Sequence, residues 1–364
     1  MKNRFLQVLV LSTFLFSCEK ATTEPAQPYD AGVVIVNAGN YFDNNGTLSL
    51  VSRSTQTATL DVFQKENARS LAGSLSGYTE VGDKGIVLVD NSTPDKDLIE
   101  IVNSRTFKSI ATLTKAIENP REVVEVNTTK AYITAWDATG DFSNFYKNPG
   151  YVAVLDLTTN KITKKITVQP GAESIQISGN LAFVGSTGSF KDVLSIIDIS
   201  TDTKLSDIKV GANPVVIGLD ANQKLWIYAG NRFVKFNVSS KTIESEVSLK
   251  SDVADKSPSS FVFSSDKKTL FFTNSYYDAA NNYAQKGETY AFPITSTSIT
   301  ANKPLIKKLF SGGLGVDSKT GYLYAGLVPS FKQAGYVFRY KPTGELIDSV
   351  KTEIAPSKFF FKKQ

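Results

Sequence analysis

The chain has 364 residues, a formal net charge of +5, no histidine and one cysteine. Without imidazole there is no Ser-His-Asp or Cys-His nucleophile and no histidine-ligated zinc, and a single cysteine excludes an internal disulfide. The small positive excess, part of it in the N-terminal segment, gives no basis for nucleic-acid binding, so no nucleic-acid partner is expected.

In chain order, residues 1–17 read as a secretory signal peptide: Lys2 and Arg4 precede an apolar run from Phe5 to Phe16. At about 12 residues that run is too short to cross a bilayer as a stable helix. Its end, Leu15-Phe16-Ser17-Cys18, resembles a lipobox, and the chain's one cysteine falls in it. Cys18 is therefore expected to carry the lipid, with a Thr-, Glu- and Pro-rich tether over 18–30; two or more acyl chains anchor firmly where one does not. The anchor by itself does not set which membrane or leaflet the lipoprotein reaches.

From residue 31 to 364 one unit recurs: an alternating strand, a turn of Asn, Asp, Thr, Ser or Lys, and a second alternating strand. Its clearest copies are Tyr151 to Val168 and Val193 to Val210, and the same shape appears at 46–63, 97–113, 231–249, 287–310 and 335–352. Between these hairpins lies a short apolar strand, often after Pro, and then a Leu-Tyr-Val type of strand. Asn119-Pro120 before Val123 to Val126 and Ala131 to Thr134 is one example, and Asn213-Pro214 before Val215 to Leu219 and Leu225 to Tyr228 is another. Four strands per repeat at this spacing predict an all-β, seven-bladed β-propeller. The alternative is six blades with one hairpin an insertion. Pro356 to Lys362 has the form of an innermost strand, and Gly32 to Val36 that of a second strand with nothing before it. Pairing of these N- and C-terminal strands is expected to close the ring and remove its open edges.

The connections between second and third strands are the irregular parts of the sequence. Asn37 to Asn45 carries Tyr41 and Phe42, Trp136 to Gly150 carries Phe145 and Tyr146, Thr273 to Gly287 carries Tyr276 and Tyr277, and two further loops add Phe190 and Phe331. Exposed rings offer broad faces at low entropy cost, so Asn37, Tyr41, Phe42, Trp136, Phe145, Tyr146, Phe190, Tyr276, Tyr277 and Phe331 are the candidate ligand-binding residues. Asn37, Asn40, Asn44, Asn91, Asp137, Asn144, Asn274, Asn281 and Asn282 in these connections would supply polar groups beside the rings. Asp43 to Gly46 and Asp278 to Asn282 lack the spacing of a calcium loop and read as turns, so no metal and no cofactor is expected.

The units around Val152 to Ile162 and Ile208 to Pro214 resemble the YVTN-type propeller family, which implies architecture more than function. Val33 to Phe42 followed by Asn45 to Ser49 resembles the opening of surface lipoprotein propellers of vitamin B12 uptake systems, with Ala38 where that pattern has Glu. The resemblance implies a lipoprotein of the outer membrane at the cell surface, with a small-molecule ligand, cobalamin or another corrinoid, handed to an outer-membrane transporter, and no enzyme activity. Two other readings stay open. One is a divalent-cation-dependent lactonase or lyase with Glu80, Glu122, Glu173 and Asn213 at the channel mouth; the other is a structural or adhesive surface protein.

Overall fold

A computed structural model describes residues 25–138, 140, 143–188, 191–251, 256–281, 284–308, 310 and 312–363. The signal segment, Cys18, Phe190 and part of the tether lie outside the described residues. Seven sheets follow one another along the chain, antiparallel except for one added strand. Blade 1 pairs Pro356–Phe361 with Val33–Asn37, then Thr47–Val51 and Ala58–Thr59. Blade 2 is Ser74–Val81, Lys84–Asp90, Leu98–Asn103 and Ser109–Thr114; blade 3 is Pro120–Asn127, Lys130–Ala135, Tyr151–Asp156 and Lys161–Thr167. Blade 4 is Ala172–Ser178, Leu181–Ser186, Val193–Asp198 and Thr203–Lys209, and blade 5 is Val215–Leu219, Lys224–Ala229, Arg232–Asn237 and Thr242–Ser251. Blade 6 has Ser257–Phe263, Thr269–Asp278 and Ala284–Pro293, and blade 7 has Leu314–Val316, Leu323–Leu327, Ala334–Tyr340 and Leu346–Ile354.

The sequence pattern explains the layering. Second strands such as Val33–Asn37 and Lys130–Ala135 are apolar on nearly every residue because each lies between two neighbouring blades and is buried on both faces. Fourth strands such as Ser109–Thr114 and Thr203–Lys209 form the rim and are largely exposed. The core is accordingly divided into clusters between blades. Phe183, Leu194, Ile227 and Phe236 fill the space between blades 4 and 5, and Trp226, Phe233, Phe272 and Phe292 that between blades 5 and 6. Each fully buried side chain of this kind stabilises by about 1.5–3 kcal/mol before entropy is counted.

Closure follows the expected pairing. Val33 lies opposite Phe361, Val34 opposite Phe360 and Ile35 opposite Phe359, so the two ends of the domain complete a single sheet. Two blades depart from the four-strand plan, blade 5 with five strands and blade 6 with three. The segment expected to finish blade 6, Ser298–Ala301, instead runs parallel to the outer strand of blade 5, with Ser248 opposite Ser298. The chain then returns across blade 6, where Ile306 bridges Thr289 and the Phe310 N–H donates to Gly287 O at 2.7 Å.

Candidate ligand-binding site at the channel mouth

Successive strands within a blade run in opposite directions, so all loops between second and third strands emerge at one end, together with the links between blades. First strands also begin there. That end carries the mouth of the central channel, a cavity of about 390 Å3 lined by residues from all seven blades, among them Glu122, Glu173 and Lys358.

At the mouth, three blades meet on Arg121. This residue stands at the start of the first strand of blade 3, directly after Pro120, which enters the strand without needing a hydrogen-bond partner. Its guanidinium binds Asp90 of blade 2 at 2.7 Å, lies 3.3 Å from Glu173 of blade 4, and covers the Trp136 ring at 4.2 Å. The Trp136 indole N–H donates to Glu173 at 2.8 Å. Burial raises the Asp90 carboxyl, with the Arg121 charge opposing it. Tyr146 packs edge-on against Trp136 at 5.1 Å, and its ring occupies the space over Gly188 and Gly171. A Cβ on Gly188 would lie 2.2 Å from that ring, and its φ of +69° is one that side chains avoid.

Beside this hub, Asp97 accepts the backbone N–H of Asn91 at 2.5 Å and of Asn119 at 2.6 Å, tying the loop of blade 2 to the link into blade 3. Burial pushes its carboxyl up to about 7, and burial also raises that of Glu118. In the channel wall, Glu122 accepts the Ile175 N–H at 3.3 Å; burial raises its carboxyl, against the pull of the Lys358 ammonium.

The sequence-predicted residues divide into three sets. Phe42, Tyr277 and Phe331 are exposed at 73%, 68% and 58% on blades 1, 6 and 7, which are neighbours in the ring; Phe42 and Phe331 stand on loops, whereas the expected loop from Thr273 to Gly287 is mostly an extension of the blade 6 strands, and Tyr277 lies in Thr269–Asp278. Trp136, Phe145 and Tyr146 are half-buried in the hub, and Tyr41 and Tyr276 are half-buried beside Phe42 and under the Lys256 ammonium respectively. Asn37 is fully buried, its amide nitrogen donating to Ser49 at 2.9 Å. The loop asparagines mostly hold the loops themselves. Asn40 accepts the Phe42 N–H at 3.0 Å, Asn44 and Ser92 exchange hydrogen bonds at 2.9 Å, and Asn91 donates to Ala72 O at 2.6 Å. Asp278 likewise caps a turn through Ala280 N–H and pairs with Lys286.

Glu122 and Glu173 do face the channel at this end. Glu80 does not: it sits at the end of its strand, at the opposite mouth, paired with the buried Lys362. Asn213 belongs to the link between blades 4 and 5. Among the described residues no group of three or more acidic or cysteine side chains is arranged to hold a metal ion. Arg121 and Asp97 escaped the sequence reading; an Asn-Pro-Arg-Glu run opening an inner strand was the available signal.

Fold and mouth together define a seven-bladed propeller with a ligand-sized cavity at its loop-bearing end. A family model described as a domain of unknown function (DUF5074) matches residues 31–362, and the chain belongs to that family. Among solved structures it is similar to a quinonprotein alcohol dehydrogenase-like protein from Bacteroides thetaiotaomicron VPI-5482, at 16% identity and a TM-score of 0.65 over 92% of this chain and 79% of that one. It is also similar to hydrazine synthase of Kuenenia stuttgartiensis, at 15% identity and a TM-score of 0.54, over 76% of this chain and 86% of that one. At these identities the likeness extends to the fold alone. No curated protein matches the chain.

Proposed function

We propose that this protein is a lipid-anchored propeller of the outer-membrane surface. It captures a nutrient, a corrinoid in first place, across its loop-bearing end and passes it to an outer-membrane transporter. The observation that carries the reading is the exposure of Phe42, Tyr277 and Phe331 at that one end, on consecutive blades. Rings that stay mostly in water bury only a minor part of their area in the folded chain, and a broad, partly flat ligand would bury more of it. The resemblance of Val33 to Ser49, with Ala38 in place of Glu, to the opening of corrinoid-binding propellers supports the ligand class, and the lipobox-like Leu15 to Cys18 supports the anchoring. The cation-dependent enzyme reading is weakened because Glu80 lies at the opposite end from Glu122 and Glu173.

The test is titration of the purified protein with cyanocobalamin and cobinamide by calorimetry. The expected result is saturable binding at micromolar ligand or below, weakened at least about tenfold when Phe42, Tyr277 and Phe331 are all changed to Ala. No heat at micromolar corrinoid would overturn the corrinoid assignment. Anchoring is checked separately: Cys18→Ser is expected to move the protein from the membrane to the soluble fraction.

A further inference from the structure

The channel beneath those loops has chemistry of its own, and the inference drawn from it does not rest on the rings. The first strand of every blade pairs in a sheet on one side only, with its own second strand, and a few groups of its other edge are met by side chains of neighbouring blades, as the Ile175 N–H is by Glu122 and the Val216 N–H by Ser174. That edge faces the axis, so the remaining backbone N–H and C=O groups around the channel need water or a ligand. To this the side chains of Ser259, Ser260 and Ser357 add hydroxyl-bearing residues, and Glu122, Glu173 and Lys358 add charge.

The charges nearly cancel. Glu173 is matched by Arg121 at 3.3 Å, and Arg121 in turn by Asp90 at 2.7 Å. Glu122 and Lys358 line the same cavity without pairing directly. The carboxylate is turned to the Ile175 N–H and the ammonium to the Arg121 carbonyl at 3.1 Å, yet the ammonium still acts on the carboxylate through space. A cation entering here meets Lys358 as well as Glu122, and an anion meets Glu122 as well as Lys358. A hydroxyl group meets no such conflict, because it donates to the carboxylate and accepts from the ammonium at once. Apolar residues beside them, Val216, Phe261 and Phe359, offer surface to the C–H face of a ring.

We propose that the channel mouth binds a small, neutral, polyhydroxylated molecule between Glu122 and Lys358. The cavity of about 390 Å3 has room for about one to two sugar rings. Such a ligand replaces the channel water hydroxyl for hydroxyl, which keeps the backbone edges and both charged groups satisfied.

The chain supplies its own reporter. Of its two tryptophans, Trp226 is fully buried between blades 5 and 6, whereas Trp136 donates to Glu173 in the channel wall. The purified protein would be titrated with glucose, galactose, cellobiose and mannitol, with lysine and citrate as charged probes, following tryptophan fluorescence and calorimetric heat. The expected result is a saturable response to at least one of the four neutral compounds, at millimolar concentration or below, and none to lysine or citrate. Glu122→Gln and Lys358→Met should each weaken that response at least about tenfold while leaving the urea midpoint in place. A response that survives both substitutions would overturn the proposed seat, and preference for lysine or citrate would overturn the neutral class. Silence toward all four neutral compounds in both fluorescence and calorimetry would overturn the site. The variant lacking the three exposed rings should keep the sugar response, so loss of corrinoid binding and loss of sugar binding are separate results.

Discussion

The two ends of the propeller are built by different rules. At the end bearing the hairpin turns, a cation of one blade repeatedly reaches a turn carbonyl of the next. Lys362 of blade 1 binds Ser104 O of blade 2, Lys84 of blade 2 binds Leu157 O of blade 3, and Lys130 of blade 3 binds Ile199 O of blade 4. Lys235 of blade 5 binds Ile294 O of blade 6, and Arg339 of blade 7 binds Ser52 O, Arg53 O and Thr55 O of blade 1. Among the described residues no such cation-to-carbonyl staple repeats at the mouth end. Arg121 joins three blades once, Asp97 clamps one loop once, and rings project from only some blades. Repetition at one end and singularity at the other are what a scaffold and a site respectively require: the first must hold like units together, the second must be unlike its surroundings.

The sharpest way to break the comparison is to remove a staple where the ring closes. Arg339 is buried, held by Asp348 at 2.5 Å as well as by the blade 1 turn. Arg339→Met leaves the buried Asp348 charge unpaired and is expected to cost about 3–5 kcal/mol in urea unfolding, with channel-mouth binding intact below the transition. A cost under about 1 kcal/mol would mean that closure does not depend on the stapled end.

Next in size is a pH effect confined to the mouth end. The Asp97 carboxyl, whose ordinary value is near 4, is raised to about 7 by burial among Asp90 and Glu118. The folded state thus holds the proton more tightly than the unfolded chain. The associated stability is complete below about pH 4 and is lost as pH rises toward about 7, at no more than about 1.4 kcal/mol per pH unit. Asp97→Asn is expected to flatten that part of the stability profile, measured by urea midpoints between pH 4 and 7. An unchanged slope would place the titration elsewhere.

The scaffold was legible in the sequence because its signals are local. Strands buried on both faces read as continuous apolar runs, rim strands as alternation, and turns as Asn, Asp and Thr clusters. The paired ends could be read for the same reason: each lacked a partner of a recognisable type. The outer strand of blade 6 was not legible. Ser298–Ala301 has the composition of a strand whichever sheet accepts it, and only the tertiary structure assigns it to blade 5. At the site, the irregular loops were visible but the use of their side chains was not. Asn40, Asn44 and Asn91 look like ligand donors in sequence, whereas local N–H and C=O groups compete for them and win. Arg121 was hidden by the opposite effect, since its partners Asp90 and Glu173 lie far away in the chain.

A smaller effect tests whether the hub depends on close backbone approach. Gly188→Ala must displace the Tyr146 ring and adopt a left-handed backbone, costing about 1–3 kcal/mol. Because Tyr146 leans on Trp136, the substitution is also expected to change the tryptophan emission, which a purely local strain at residue 188 would leave alone.

The smallest expected effect is the most informative about the difference between the ends. Phe42, Tyr277 and Phe331 are exposed, so truncating each to Ala removes little contact within the folded chain and should change stability by no more than about 0.5 kcal/mol. Residues retained for packing would not behave so: a buried ring such as Phe233 is expected to cost about 3–5 kcal/mol on the same change. Near-zero cost in urea unfolding, together with loss of ligand affinity, separates residues kept for what they bind from residues kept for what they hold. A cost above about 2 kcal/mol for any of the three would show that ring to be loop packing and remove it from the binding surface.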